Sequence, residues 1–211
     1  MVCKPSLGVI FRTPEYGRVK KRLASEIGDQ NALSAYKLML DATIENISLL
    51  QGIDIFGFYE GRFPEEIQRR YKFKELIAQK GEDLGERLLN AIKEIFNRGY
   101  GRIVLIGADS PDLPLAYIQE AFSRLDSFDI VIGPSDDGGY YLIGLKEPFE
   151  SLFRDINWGG PSVLKETIDI IKSIGLCFYL LAEWYDIDCE ERLNRWLEAN
   201  GIEDKVPWVA P

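Results

Sequence analysis

The sequence predicts an α/β domain: a mainly parallel sheet with helices on both faces. Short β-branched or aromatic runs alternate with longer segments of helical period along the whole chain. One of these runs, RIVLIGA at 102–108, is apolar almost throughout, as a central parallel strand buried on both faces should be. Neither an internal repeat nor a linker interrupts the alternation, so 1–211 reads as one domain.

Each element follows in order. LGVIF (7–11) is a first strand. The segment 29–50 carries Ala32, Tyr36, Met39, Leu40, Thr43, Ile47 and Leu50 on one helical face. IDIFGFY (53–59) is a second strand, and PEEIQRRYKF (64–73) is helical. In 83–96, Leu84, Leu88, Ile92 and Ile95 form an inward face, with Asp83 and Glu86 at capping-box spacing. After the 102–108 strand come a helix at 115–125 and strands at 129–133 and 140–145. A helix at 162–174, a strand at 177–182 and a last helix at 189–199 complete the chain.

Bulk properties exclude several classes. The formal net charge is −9, which disfavours a nucleic-acid-binding surface but leaves room for a small phosphorylated ligand. No apolar run is long enough to span a membrane, and the N-terminal stretch is short for a signal peptide, so the expected location is the cytoplasm. Cys3, Cys177 and Cys189 are far apart and read as reduced thiols. The chain has no histidine. That removes Ser-His-Asp and Cys-His catalysis and every His-ligated metal site. A metal would be held by oxygen, which favours Mg²⁺ or Mn²⁺.

Ligands of open α/β sheets bind at the carboxyl ends of strands, so four loops matter. The first, 12–28, concentrates Arg12, Arg18, Lys20, Lys21 and Arg22. Such a cluster suits a diphosphate, or is a solvated basic turn. The second enters the helix at Asp83, where Gly81 and Gly85 allow close approach of a ligand or of a neighbouring element. The third is GADSPDLP (107–114). Asp112 or Ser110 would cap the next helix, whereas Asp109 lies too far from it and suits a metal site. In the fourth, Asp186 and Asp188 alternate as in an extended segment and would point the same way. Asp188 and Glu191 also have capping-box spacing. A fifth stretch, SDDGGYYLIG (135–144), joins a turn to a strand near the same edge.

The set RVKKRL, DLGERL, GADSPDLP, GPSDDGGYYLIGL, INW and DIDCEERL, in this order, resembles the nucleotide-diphospho-sugar transferase superfamily. The match is to its glycosyltransferase-like branch of uncharacterised and arsenosugar-type members. It runs from about 7 to 197. The resemblance implies the glycosyltransferase-A fold, a three-layer α/β/α Rossmann-like arrangement. It also implies a metal-dependent transferase that binds a nucleotide diphosphate. By motif position Asp109 and Asp188 look like metal ligands for Mg²⁺ or Mn²⁺. The basic loop, with Lys20 and Arg22, would face the phosphates, and Gly81 and Gly85 would lie near the nucleoside; Arg12 is a further nucleotide-binding candidate of that loop. The chain departs from the family where KTRL would stand, at Lys20-Lys21-Arg22-Leu23, and at Cys189, where threonine is usual.

The expected reaction is glycosyl transfer from a nucleotide sugar to a small acceptor. Asp137 would act as base, with Asp112, Gly138, Gly139 and Tyr140 on the ligand side and Asp136 facing solvent. The alternatives are a nucleotidyltransferase that uses a nucleoside triphosphate and releases pyrophosphate, and a non-catalytic nucleotide-binding protein. Neither oligomeric state nor stereochemistry is legible.

Overall fold

The computed structural model describes residues 4–203 and 206. Seven strands form one sheet: β1 (Pro5–Arg12), β2 (Asp54–Glu60), β3 (Glu75–Ala78), β4 (Arg102–Gly107), β5 (Ile130–Pro134), β6 (Tyr140–Leu145) and β7 (Phe178–Leu180). Their order is β3-β2-β1-β4-β6-β5-β7. All neighbouring pairs are parallel except those of β6, which runs antiparallel to both β4 and β5. Among the described residues the α-helices are α1 (Lys21–Ile27), α2 (Asp29–Ile47), α3 (Glu65–Arg70), α4 (Leu84–Phe96), α5 (Leu115–Arg124), α6 (Val163–Ser173) and α7 (Glu190–Asn200).

The helical stripes read from the sequence decide which face each helix covers. Tyr36, Leu40, Ile44 and Ile47 of α2 pack with Ile118, Ala121 and Phe122 of α5 on one side of the sheet. Leu88, Ile92 and Ile95 of α4 pack with Ile171 of α6 on the other. Each fully buried aliphatic side chain contributes roughly 1.5–3 kcal/mol. A third cluster joins Leu23 of α1, the small-residue side of α2 at Ala32 and Ala35, and Leu193, Trp196 and Leu197 of α7. This outer layer holds α1 and α7 together, and with them the loops that precede both.

Two elements differ from the sequence reading. The basic loop contains α1, whose buried residue is Leu23 alone. The segment 75–78 pairs at the sheet edge as β3, with its two end residues exposed. Among the described residues no helix is long and apolar enough to cross a membrane. Cys177 and Cys189 are free thiols, and Cys3 lies outside the described residues.

Candidate active site

The carboxyl ends of β1, β4 and β5 and the segment after β7 meet at one edge of the sheet. There the Lys20 ammonium lies 2.6 Å from Asp109 Oδ1 and 2.9 Å from Asp188 Oδ1. Its side chain is only 5% exposed, whereas the two carboxylates are 46% and 39% exposed. A buried cation therefore faces two carboxylates that open to solvent. Lys20 takes left-handed backbone angles, φ 47 and ψ 51, just before α1. That conformation costs a side-chain-bearing residue about 1–2 kcal/mol. The two ion pairs over-determine it.

A third carboxylate completes the group. Ser110 donates a 2.7 Å hydrogen bond to Asp186 Oδ1. The Ile187 N–H donates to the Asp109 carbonyl at 2.9 Å, which draws the segment after β7 against the end of β4. Ile187 itself is fully buried in the α1/α2/α7 cluster. Extended alternation then turns Asp186 and Asp188 away from that core and toward Lys20.

Electrostatics separate the three acids. Burial, then the Asp109 charge, push the Asp186 carboxyl up to about 6. Burial also opposes ionisation of Asp188, but the charge and hydrogen bond of Lys20, with Arg22 and Arg192, outweigh it and hold this carboxyl below its usual value. Burial opposes the Lys20 charge too, yet Asp109 and Asp188 raise it above an ordinary lysine.

Several expected residues assemble here and others do not. Lys20, Arg22, Asp109 and Asp188 come together, with Arg22 Nη1 3.3 Å from Asp188 Oδ2. Asp188 is not a helix cap: α7 has Cys189 at its N-cap, without a side-chain cap bond. Neither Ser110 nor Asp112 caps α5, which has Pro114 at its N-cap. Asp112 turns instead to the Tyr185 hydroxyl, and the Trp184 indole N–H lies 3.4 Å from its other oxygen. Arg12 is paired with Glu60 at 2.8 Å, and Glu60 with Arg87 at 2.9 Å. Arg87 Nε donates to the Gly81 carbonyl at 3.2 Å, so Arg12 and Gly81 belong to a neighbouring charged chain.

The glycines have local causes. A Cβ at Gly85 would stand 2.3 Å from Trp158 Nε1, so the close approach there is made by a neighbouring element. The Asp83 side chain caps α4 by accepting from the Glu86 N–H at 2.8 Å, as its spacing predicts. At Gly138, φ is 89 and a Cβ would lie 2.1 Å from the Pro161 carbonyl oxygen. Gly138→Ala is therefore expected to destabilise the fold by about 2–3 kcal/mol, read by urea unfolding. An unchanged midpoint would remove this explanation.

The 135–139 turn and the start of β6 are held by local contacts. Tyr140 is partly buried, and its ring meets Trp158 edge-on. As the first residue of β6 it points into the α4/α6 side of the sheet. Asp136 is exposed, as expected, and also pairs with Arg192 at 2.7 Å. Asp137 Oδ1 accepts the Gly139 N–H at 3.0 Å, closing the turn on itself. Asp186 and Arg192 are the participants that spacing underweighted. A signal for Arg192 existed: a cation in the first turn of a helix opposes the helix dipole and calls for a reason.

Among the described residues, no three metal-ligating side chains converge closely enough to hold an ion by themselves. A cleft of about 740 Å³ lies along the other side of the basic loop, between Lys37, Asp41, Arg62 and Tyr71.

Residues 43–160, more than half of the chain, match the family model described as an uncharacterized protein conserved in bacteria, DUF2064. The chain belongs to the DUF2064 family. This DUF2064 chain is 33% identical to a solved "putative nucleotide-diphospho-sugar transferase" from Desulfovibrio desulfuricans G20, with a TM-score of 0.84 over 92% of this chain and 87% of that one. The mainly parallel seven-stranded sheet is thus the architecture of that neighbour. This chain is also 24% identical over 180 residues to a 2-phospho-L-lactate guanylyltransferase of Methanocaldococcus jannaschii, covering 85% of this chain and 76% of the relative. Rv0371c of Mycobacterium tuberculosis H37Rv, solved as a complex with manganese, shares the fold at 17% identity, with a TM-score of 0.57 over 92% of this chain and 99% of that one.

Proposed function

We propose that this chain, acting as a single domain over 1–211, is a nucleotidyltransferase that moves a nucleotidyl group from a nucleoside triphosphate to a small acceptor. The observation that carries the reading is the meeting of Asp109 and Asp188 on one buried ammonium, with both carboxylates half open. Two oxygens that reach one cation from separate loops are within reach of another. Oxygen donors fit Mg²⁺ or Mn²⁺, with triphosphate oxygens and water completing the shell. When bound, the ion neutralises charge on the triphosphate. The guanylyltransferase likeness and the manganese complex of Rv0371c support the same chemistry.

The chain's own residues would do the rest. Asp109 and Asp188 hold the ion. Lys20 and exposed Arg22 bear on the departing pyrophosphate, whose charge they offset. An acceptor oxyanion attacks the α-phosphorus. The bond from that phosphorus to the bridging oxygen breaks, and the electron pair leaves with pyrophosphate. An acceptor that is already an oxyanion needs no base. This agrees with Asp137, whose Oδ1 is engaged by its own turn.

Glycosyl transfer from a nucleotide sugar is the second reading, favoured by the 33% identity to the Desulfovibrio protein. It predicts release of a nucleoside diphosphate, where nucleotidyl transfer predicts pyrophosphate. A thermal-shift panel of nucleoside triphosphates and nucleotide sugars with and without Mn²⁺, followed by product analysis, separates the two. Asp109→Asn is expected to weaken Mn²⁺-dependent nucleotide binding at least tenfold. Equal binding with equal metal dependence would remove the proposed ion site.

A further inference from the structure

The segment that carries Asp186 and Asp188 is held unevenly. Up to Trp184 it runs beside β5: Leu181 N–H donates to the Ile132 carbonyl at 2.9 Å, and Trp184 N–H to the Pro134 carbonyl at 3.0 Å. The Asp136 N–H returns a bond to the Trp184 carbonyl at 3.2 Å. Beyond Trp184, the Ile187–Asp109 bond is the next backbone tie from this segment to the sheet edge. The acidic pair thus sits on a stretch that the sheet no longer templates.

Arg192 reaches back from the first turn of α7 to this stretch. Its Nη1 donates to the Asp186 carbonyl at 2.9 Å. The same guanidinium meets both Asp136 oxygens, at 3.1 and 2.7 Å. It also lies 6.0 Å from the centre of the Tyr185 ring, whose hydroxyl bonds Asp112. One planar fork therefore ties the β5–β6 turn, the segment after β7 and α7 together, and through Tyr185 it adjoins the β4–α5 loop. A bidentate pair with a third bond from one of the same nitrogens suits guanidinium and not ammonium geometry.

We infer that Arg192, paired with Asp136, is a positioning residue that sets Asp186 and Asp188 against Asp109 and Lys20. It touches neither Lys20 nor Asp109 and acts through the Asp186 backbone. Its effect on turnover rests on the nucleotidyl-transfer reading; its effect on the segment does not. Small displacements at a phosphoryl-transfer centre cost large factors in rate, so loosening this brace has a readable cost.

The test uses the full chain with Arg192→Lys, Arg192→Gln, Asp136→Asn and the Arg192→Gln/Asp136→Asn double variant. Amide hydrogen exchange at Ile187 is expected to rise at least tenfold in each, with α2 amides unchanged. The double variant should be no worse than Arg192→Gln alone, because both changes remove one brace. With Mn²⁺ and a triphosphate that the parent turns over, kcat should fall at least tenfold and KM stay within about threefold. Unchanged Ile187 exchange overturns the inference, as does faster exchange with unchanged kcat. If the parent turns over no triphosphate, the nucleotidyl reading fails, and titration with Mn²⁺ alone, followed by the paramagnetic resonance of the free ion, decides. Tenfold weaker Mn²⁺ binding by Arg192→Lys sustains the positioning role, and equal binding ends it.

Discussion

Lys20→Met is expected to abolish measurable turnover, at least a hundredfold loss, and to destabilise the protein by about 2 kcal/mol at pH 7. The variant deletes the ammonium that stands within 3 Å of Asp109 and Asp188. Asp109, Asp186 and Asp188 are then left facing one another across a site that has lost its buried cation. Removing one partner of a fully buried pair costs roughly 3–5 kcal/mol. The figure here is lower because both carboxylates are nearly half exposed and water screens them.

The sign with pH follows from the two partners. Lys20 is raised above 10.5, so its contribution is present throughout neutral pH and is lost only as pH rises through its folded value. Asp188 is lowered below 3.8, so its contribution is present above that pH and is lost as pH falls through its folded value. The gap between parent and variant should therefore be widest between about pH 4 and 10 and should close in stronger acid. Millimolar Mn²⁺ should restore part of the stability of the variant, because a divalent ion can take the place of the ammonium. Urea unfolding across pH, with and without Mn²⁺, measures all of this. A variant as stable as the parent at pH 7 would show that the Lys20 pairs are marginal.

Asp186→Asn is expected to do the opposite to stability. The carboxyl is pushed up to about 6 from 3.8, first by burial and then by Asp109. Between those values the folded protein keeps a proton that the unfolded chain releases. Stability at this group is thus lost as pH rises from about 3.8 to about 6, and above that the charged, partly buried acid is a constant cost. An asparagine never ionises and can still accept the Ser110 hydrogen bond. The variant should be more stable than the parent by roughly 2–3 kcal/mol at pH 7, with the difference vanishing near pH 4. Turnover should fall at least tenfold, since the charge that destabilises the fold faces the proposed ion site. A difference that does not change with pH would assign the effect to packing.

Much of the fold was legible because it rests on periodicity. The apolar stripes of α2 and α4 are legible at their proper faces, apart from Leu84, which the first turn of α4 leaves exposed, since a helix must bury a continuous apolar side whatever its neighbours are. β3 and α1 escaped for the same reason. Glu75–Ala78 is a short edge strand with exposed ends, and α1 buries only Leu23, so neither has an apolar pattern to read. The antiparallel insertion of β6 between β4 and β5 was also out of reach, because alternation specifies a strand and not its direction.

The sequence by itself determined the chemical inventory: no histidine, cations after β1, carboxylates after β4 and β7, and therefore a sheet edge lined by oxygen donors and cations. It also determined that Asp109 is not a helix cap, because its distance from α5 is a local fact. Only the tertiary structure decided between equal local alternatives. Asp188 could cap α7 or face the site, and the ammonium of Lys20, 168 positions away, draws it to the site. Asp112 could line the site or brace a loop, and Tyr185 holds it to the loop. A short-range motif shows which partners a carboxylate could accept. Which one it takes depends on charges and hydroxyls that meet only when distant strands end at the same edge.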